Sequence, residues 1–284
     1  MESVRKTSDD QDEKKFHPRD ARLIQVAGGG LVMRNACDAR KHEMALGEAG
    51  AEDYERGISK TGWTLIHEYF VSGRWGRKFN GLFLDYGCGT GLVARNLVRA
   101  RRSVVAMDIS KSMCKIAKDI CGVEAVVADC LHLPFTNRAF SIICVSGALH
   151  HLRQHLESAF LEIGRCARRG ICIIEPSTTP PGPVLRLLLL LHRVYEGFLH
   201  RTAYRGMRRK YTHSVFEGPL DPHKLQALCE KQGFKVSELK FFNHFPYFPP
   251  FSVSFVPERL RRHLVKGMIS REHGTDVEII AERC

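Results

Sequence analysis

Apolar residues in this chain fall into short unbroken runs, and between the runs they return at the three- and four-residue spacing of a helix. The runs are Leu82–Tyr86, Ser103–Met107, Glu124–Ala128, Phe140–Ser146 and Ile171–Glu175. The helical stretches are Leu92–Arg99, Ser110–Ile120 with Ser110 as its cap, and Leu156–Ala167. Continuous runs, in place of period-two alternation, mean strands buried on both faces. Strands alternating with helices mean βαβ units, so the pattern predicts an α/β fold around a parallel sheet. Further along, a helix is expected at Asp221–Gln232, ending at Gly233, then strands at Phe234–Phe242 and Asp276–Ala281.

The flanks follow a different pattern. Residues 1–20 are polar and are expected to be flexible. Residues 21–80 read as a helical N-terminal cap, interrupted at Ala27–Gly30 and at Gly47–Gly50, with an apolar helical face in Trp63–Phe70. The main domain is then 81–284, carrying insertions at about 176–218 and 243–272. The first insertion opens with Pro176-Ser-Thr-Thr-Pro-Pro-Gly-Pro183 and continues into a leucine-rich helix at 184–199. The second holds most of an aromatic run, seven rings between Phe241 and Phe255, more than a plain connection needs. Together these two segments are expected to wall an apolar pocket.

Composition narrows the class. With 44% hydrophobic and 26% charged residues, the chain is that of an ordinary globular protein. Its ten cysteines include no CxxC pair and fall largely on predicted strands and helices, the usage of reduced core thiols. The first residues are charged and no apolar run is long enough to span a bilayer of about 30 Å. A cytoplasmic protein without a transmembrane segment is expected. The net charge of +12 gathers at Arg99–Arg102, Arg165–Arg169, Arg201–Lys210 and Arg259–Arg262. Such clusters suit nucleic acid, an anionic surface or plain solvation, and charge alone does not choose among them.

The chemistry is concentrated in Asp85-Tyr-Gly-Cys-Gly-Thr-Gly91. Glycines at 87, 89 and 91 lie between a strand and a helix N-terminus, where the chain must turn sharply and admit a ligand to its backbone. A dinucleotide loop would place glycine at 92, which is Leu92. The carboxylate of Asp85, two residues ahead of the loop, would repel a pyrophosphate. It suits a nucleoside bearing a cation, as S-adenosylmethionine does in its ammonium and sulfonium groups. Asp108, 17 residues past Gly91, ends the second strand and can accept from both ribose hydroxyls. Asp129 ends the third and is placed to accept from an adenine amino group. Taken singly, a glycine-rich turn is often only a turn and a strand-end acid more often a helix cap; their order and spacing make one constellation.

These residues resemble a class I S-adenosylmethionine-dependent methyltransferase, nearest the ubiquinone/menaquinone-biosynthesis-like branch of small-molecule enzymes. The resemblance spans Leu82–Glu175 and rests on Leu84–Gly91, Asp108-Ile-Ser-Lys-Ser-Met113, Ala128–Phe135, Phe140–Ser146 and Ala148-Leu-His-His-Leu152. It departs at Ala167-Arg-Arg-Gly170, where the family has a Lys-Pro-Gly-Gly-like turn. The resemblance implies a Rossmann-like, seven-stranded, mostly parallel sheet with an antiparallel last strand. It also implies S-adenosyl-L-methionine as cofactor and S-adenosyl-L-homocysteine as product. The cofactor contacts it implies are Asp85, Gly87, Cys88, Gly89, Thr90, Gly91, Asp108, Ile109, Met113, Asp129, Cys130 and Ser146, with Tyr54 folding over from the cap.

His150 and His151, just after the fourth strand, are the candidate catalytic residues, His151 against the cofactor and His150 toward the acceptor. A base is needed only where the acceptor carries a proton at neutral pH. His151 and His155 share the i, i+4 spacing of a metal-binding helix face, but no third ligand is near in sequence, so no metal is expected. The expected acceptor is a hydrophobic or aromatic small molecule, methylated on O, N or C. Two other readings stay open: a tRNA-modifying methyltransferase, favoured by the basic clusters, and a cofactor-binding cyclase or binding module that transfers no methyl.

Overall fold

The computed structural model describes residues 24–25, 31–32, 36–58, 63–179, 218–242, 266, 269–270 and 274–283. By its internal contacts the chain divides into two units, Met1–Leu46 and Gly47–Cys284. In the first, Ile24–Gln25 pairs antiparallel with Leu31–Val32 across the expected interruption at Ala27–Gly30. The stretch read as helical there holds a short two-stranded ladder.

The second unit is built on one sheet. Its strands are β1 (Leu82–Tyr86), β2 (Ser103–Asp108), β3 (Glu124–Val127), β4 (Phe140–Ser146), β5 (Ala167–Pro176), β6 (Phe234–Phe242) and β7 (Asp276–Arg283). They lie in the order β3-β2-β1-β4-β5-β7-β6, with Ile269–Ser270 added beyond β6. β1 through β5 pair in parallel, while β7 runs antiparallel to both β5 and β6. The expected α/β sheet with an antiparallel last strand is present, that strand lying between β5 and β6.

Strand periodicity sorts the core into two layers. Leu84, Tyr86, Ile143, Val145, Ile171, Ile173, Val277 and Ile279 face one side. Phe83, Ile142, Cys144, Cys172, Ile174 and Ile280 face the other. The first layer is covered by α5 (Leu156–Cys166) and α6 (Pro222–Lys231), through Phe160, Ile163 and Leu225. The second is covered by α2 (Trp63–His67, continuing to Lys78), α3 (Leu92–Arg99) and α4 (Lys111–Cys121). Their buried side chains there include Phe70, Trp75, Leu97 and Ala117. The same alternation aims the polar residues at strand ends: Asp85 and Ser146 toward the α2–α4 layer, Glu175 toward the α5 layer.

Three local expectations need correction. α1 (Ala36–Ile58) runs unbroken through Gly47–Gly50. A Cβ on Gly47 would stand 2.8 Å from the Ser110 Cβ, so this glycine provides close approach to the start of α4 and does not end a helix. Ala167-Arg-Arg-Gly170, expected as a turn, is already strand and pairs with β4 through a register shift between Phe140 and Ile142. That shift accommodates the exposed Arg168 and Arg169 without reversing the chain. Finally, Leu149–His155 is a 3-10 segment broken at Leu152 (φ −101°, ψ 21°), so the α-helical face expected to join His151 and His155 does not form.

Of the basic clusters, Arg165 is spent internally. It binds the Glu162 carboxylate at 2.7 Å and the carbonyls of Phe135 (2.6 Å) and Leu133 (3.0 Å). Arg102 likewise donates to the Gly76 carbonyl at 2.6 Å. Phe242 of the aromatic run is fully buried and packs on Phe70 at 4.8 Å, so it is core. The leucine-rich stretch 184–199, the basic stretches 201–210 and 259–262 and the rest of the aromatic run, from 245 on, lie outside the described residues. Among the described residues all eight cysteines assessed are free thiols, and no helix is long and apolar enough to cross a membrane.

Candidate active site

The strand ends β1, β2, β4 and β5 meet at one edge of the sheet, where the glycine loop connects β1 to α3. Each glycine there answers a separate demand. Gly87 (φ 65°) could not carry a Cβ, which would come within 2.5 Å of the Ala148 Cβ after β4. Gly91 (φ 85°) is the left-handed N-cap of α3, and its Cβ would meet Cys121 Sγ at 2.9 Å and Ala117 Cβ at 3.0 Å on α4. Gly89 (φ 51°) differs from both. Among the described residues its Cβ would have one neighbour within 4 Å, the Tyr54 ring at 3.9 Å. Loop glycines 87 and 91 serve packing, while 89 leaves open space beneath an aromatic ring.

Asp108 ties the loop to β2. Its Oδ2 accepts from Gly89 N and its Oδ1 from Ser110 N, both at 2.9 Å. Burial raises its carboxyl pKa, and these N–H donors and nearby His151 pull it back. Each oxygen keeps a lone pair for a further donor. Ser110 caps α4, accepting from Met113 N at 3.2 Å. Ile109 and Met113 are half-buried beside it.

The part of α1 from Gly47 on is pinned beside this edge at two points. Glu48 accepts from Ser110 Oγ (3.0 Å), Ser112 N (3.1 Å) and Ser112 Oγ (2.5 Å), and Glu55 pairs with Arg95 at 2.8 Å. Between those anchors the Tyr54 ring comes within 3.9 Å of where a Gly89 Cβ would stand.

Asp85 is 1% exposed and accepts from Ala94 N, at the start of α3, at 2.9 Å. Beside the role expected of it toward a ligand cation, this carboxylate anchors the α3 N-terminus, where N–H groups are unpaired within the helix. Burial pushes its pKa up to about 7, with the Ala94 N–H lowering it and Asp108 raising it. Asp276, at the start of β7, is pushed up to about 7 by burial as well. An acid whose folded pKa exceeds its unfolded value of 3.8 keeps its proton longer when folded. Its contribution is therefore full below about pH 4, declines as pH rises to about 7, and is flat above; for Asp85 the loss is at most roughly 4 kcal/mol. Urea unfolding of the ligand-free chain is expected to show this decline, and Asp85→Asn to flatten its share.

Asp129 accepts from Leu131 N at 2.9 Å and approaches His132 Nδ1 at 3.4 Å, so it shapes the turn after β3 as well as standing at the third strand end. Cys130 gives its carbonyl to Tyr86 Oη at 2.8 Å, and the Cys88 thiol is buried against the Gly89 carbonyl. Ser146 is paired with His67 Nε2 at 2.8 Å, a buried histidine from α2 that sequence reasoning missed. No motif marks His67, which sits in an apolar helical stretch.

The largest omission is Glu175. It is completely buried at the end of β5, accepting from Ala148 N (2.8 Å), Leu149 N (2.7 Å) and His150 N (3.3 Å), and paired with His150 Nδ1 at 2.9 Å. An acid closing an apolar strand was its sequence signal, the same one that marked Asp85. The rings of His150 and His151 lie 4.1 Å apart at a 36° tilt.

The residues present fit S-adenosylmethionine. Asp108 has acceptor capacity left, the space over Gly89 is open to a ligand, and Thr90 is 1% exposed with a buried hydroxyl that has no hydrogen-bond partner among the described residues. Such an orphaned group in a ligand loop is expected to bind what the loop binds.

Residues 83–170 match the methyltransferase domain family. The chain is 30% identical over 115 residues to a demethylmenaquinone methyltransferase of Thermobifida fusca, covering 38% of this chain and 48% of that one. It is 29% identical over 114 residues to a probable tRNA methyltransferase 9B of Homo sapiens, covering 39% of this chain and 24% of that one. The chain spans from 24 to 61% of the curated relatives it matches. The fold is shared with the magnesium protoporphyrin IX methyltransferase of Synechocystis PCC 6803 solved with S-adenosylmethionine bound, at TM-score 0.57 and 12% identity, over 88% of this chain and all of that one. These findings liken residues 83–170 to a methyltransferase domain, and the sheet to a fold solved with S-adenosylmethionine bound.

Proposed function

We propose that this protein transfers a methyl group from S-adenosylmethionine to a hydrophobic or aromatic small molecule. The observation that carries the cofactor assignment is the Asp108–Gly89 hydrogen bond, which joins the glycine loop to the acid at the second strand end beneath Tyr54. The acceptor class rests on the aromatic and leucine-rich insertions of the sequence, to which the relative named as a demethylmenaquinone methyltransferase adds support.

When bound, the cofactor supplies an electrophilic methyl on a sulfonium. Asp108 would hold its ribose, the Gly89 and Thr90 region its amino-acid end, and Asp129 its base. What remains for the chain is orientation of the acceptor, which can supply about 7–11 kcal/mol of the barrier, and removal of a proton where the acceptor carries one. His150, at the same edge, is the group for that proton.

The test is incubation of the full chain with methyl-labelled cofactor and, separately, an apolar metabolite extract and bulk tRNA. Label in an apolar product supports the reading. Label in tRNA alone replaces the acceptor class, and the probable tRNA methyltransferase among the relatives is the reason that arm is included. Cofactor binding without a methylated product points to the non-methylating reading.

A further inference from the structure

We propose that Glu175 is a positioning residue that fixes the His150 imidazole as a proton acceptor. The carboxylate holds the ring in its Nδ1–H form and so leaves Nε2 for the methyl acceptor. This rests on the methyl-transfer reading above.

The geometry leaves little freedom. Glu175 has no exposed surface, and all four of its partners are nitrogens. Three are backbone N–H groups that can only donate, and they fix the carboxylate plane. The remaining partner is His150 Nδ1 at 2.9 Å. A carboxylate only accepts, so the hydrogen in that bond belongs to Nδ1. In a neutral imidazole the other nitrogen must then carry the lone pair. Among the described residues Nε2 has no hydrogen-bond partner, and the side chain keeps 16% of its surface exposed. The tilted His151 ring lies 4.1 Å from it and lowers the Asp108 pKa, so one ring sits near the cofactor acid and the other is held by Glu175.

The arrangement is also rigid where rigidity matters. Glu175 ends β5, and the residues it binds begin the segment after β4, its parallel neighbour. Gly147 takes a left-handed φ of 66° and donates to the Ile174 carbonyl at 3.0 Å, which brings the turn onto the strand end. One side chain thus sets both the path of Ala148–His150 and the tautomer of the ring. In the reaction Nε2 takes the proton of the acceptor heteroatom while that heteroatom bonds the methyl carbon and the C–S electron pair stays on sulfur. The positive charge passes to the imidazolium, which lies against the Glu175 carboxylate until the proton leaves to solvent.

The test is a long-range proton–nitrogen NMR spectrum of the full chain labelled at histidine nitrogen, with His150 assigned by its disappearance in His150→Gln. The neutral ring is expected to be protonated at Nδ1 and bare at Nε2. In Glu175→Gln the side-chain amide presents an N–H to Nδ1, and the protonated signal is expected to move to Nε2. With that move, kcat should fall by about 10²–10⁴-fold while the cofactor Kd stays within about twofold. A residue that merely supports the turn would not move the proton between ring nitrogens. A wild-type ring protonated at Nε2, or a folded Glu175→Gln chain with an unmoved tautomer, overturns the assignment. If that variant does not fold, the wild-type spectrum decides alone. Failure of the wild type to bind cofactor would sink the methyl-transfer reading instead, with the tautomer still deciding the role of Glu175.

Discussion

Gly89→Ala is expected to leave the fold standing and to weaken cofactor binding, whereas Gly91→Ala is expected to remove much of the fold's stability. Both glycines have positive φ, so both substitutions carry a backbone cost of about 1–2 kcal/mol. They part in what the new methyl meets. At Gly91 it enters α4, within 3.1 Å of the Ala117 Cα and 2.9 Å of Cys121 Sγ, and overpacking of that kind adds about 1–3 kcal/mol. A total of about 2–5 kcal/mol is a large part of the roughly 5–15 kcal/mol that a domain commonly has. At Gly89 the methyl meets, among the described residues, the Tyr54 ring alone at van der Waals distance, and it fills the space proposed for the ligand. Affinity is expected to drop by about tenfold to several hundredfold with little further change in the unfolding midpoint. Calorimetry and thermal unfolding on the two variants separate these effects. Equal stability losses at both positions would mean that the space over Gly89 is not a ligand site.

Asp108→Ala is the second large effect. The carboxylate holds the loop through Gly89 N and α4 through Ser110 N, and it is the acid proposed to take the ribose hydroxyls. A hydrogen bond to a charged group is worth about 1.5–3 kcal/mol, so losing two ribose bonds should weaken binding by about 10²–10⁴-fold. Asp129→Ala is expected to cost less, because part of that side chain's role is the turn at Leu131. Titration of S-adenosylhomocysteine into both variants checks the ranking. Affinity within threefold of wild type in Asp108→Ala would remove Asp108 from the site.

How much of this was legible beforehand divides along a physical line. Strands β1 and β4 and helix α3 were read to the residue, because an unbroken apolar run or a helical apolar face is a local signature of burial. The loop glycines and the acids at strand ends were legible for the same reason, since spacing along the chain fixes them relative to one another. Glu175 and His67 were not, because their partners lie 25 and 79 residues away. Only the parallel pairing of β4 with β5, and the packing of α2 on the sheet, bring them to the site. The glycines at 47–50 misled for a related reason. Gly47 answers to Ser110 on another element, so a rule of local helix propensity reads it as an end. The double use of Asp85, expected as a ligand for a cation and found anchoring α3, shows that a strand-end acid can serve the helix that follows it.

The central claim is that the space between Gly89, Asp108 and Tyr54 holds S-adenosylmethionine. Isothermal titration of the wild-type chain with S-adenosylmethionine, S-adenosylhomocysteine and a reduced nicotinamide dinucleotide tests it most directly. Saturable one-to-one binding of the first two, with none of the third, is the result the account predicts. Binding of the dinucleotide without the sulfonium or its product would contradict it.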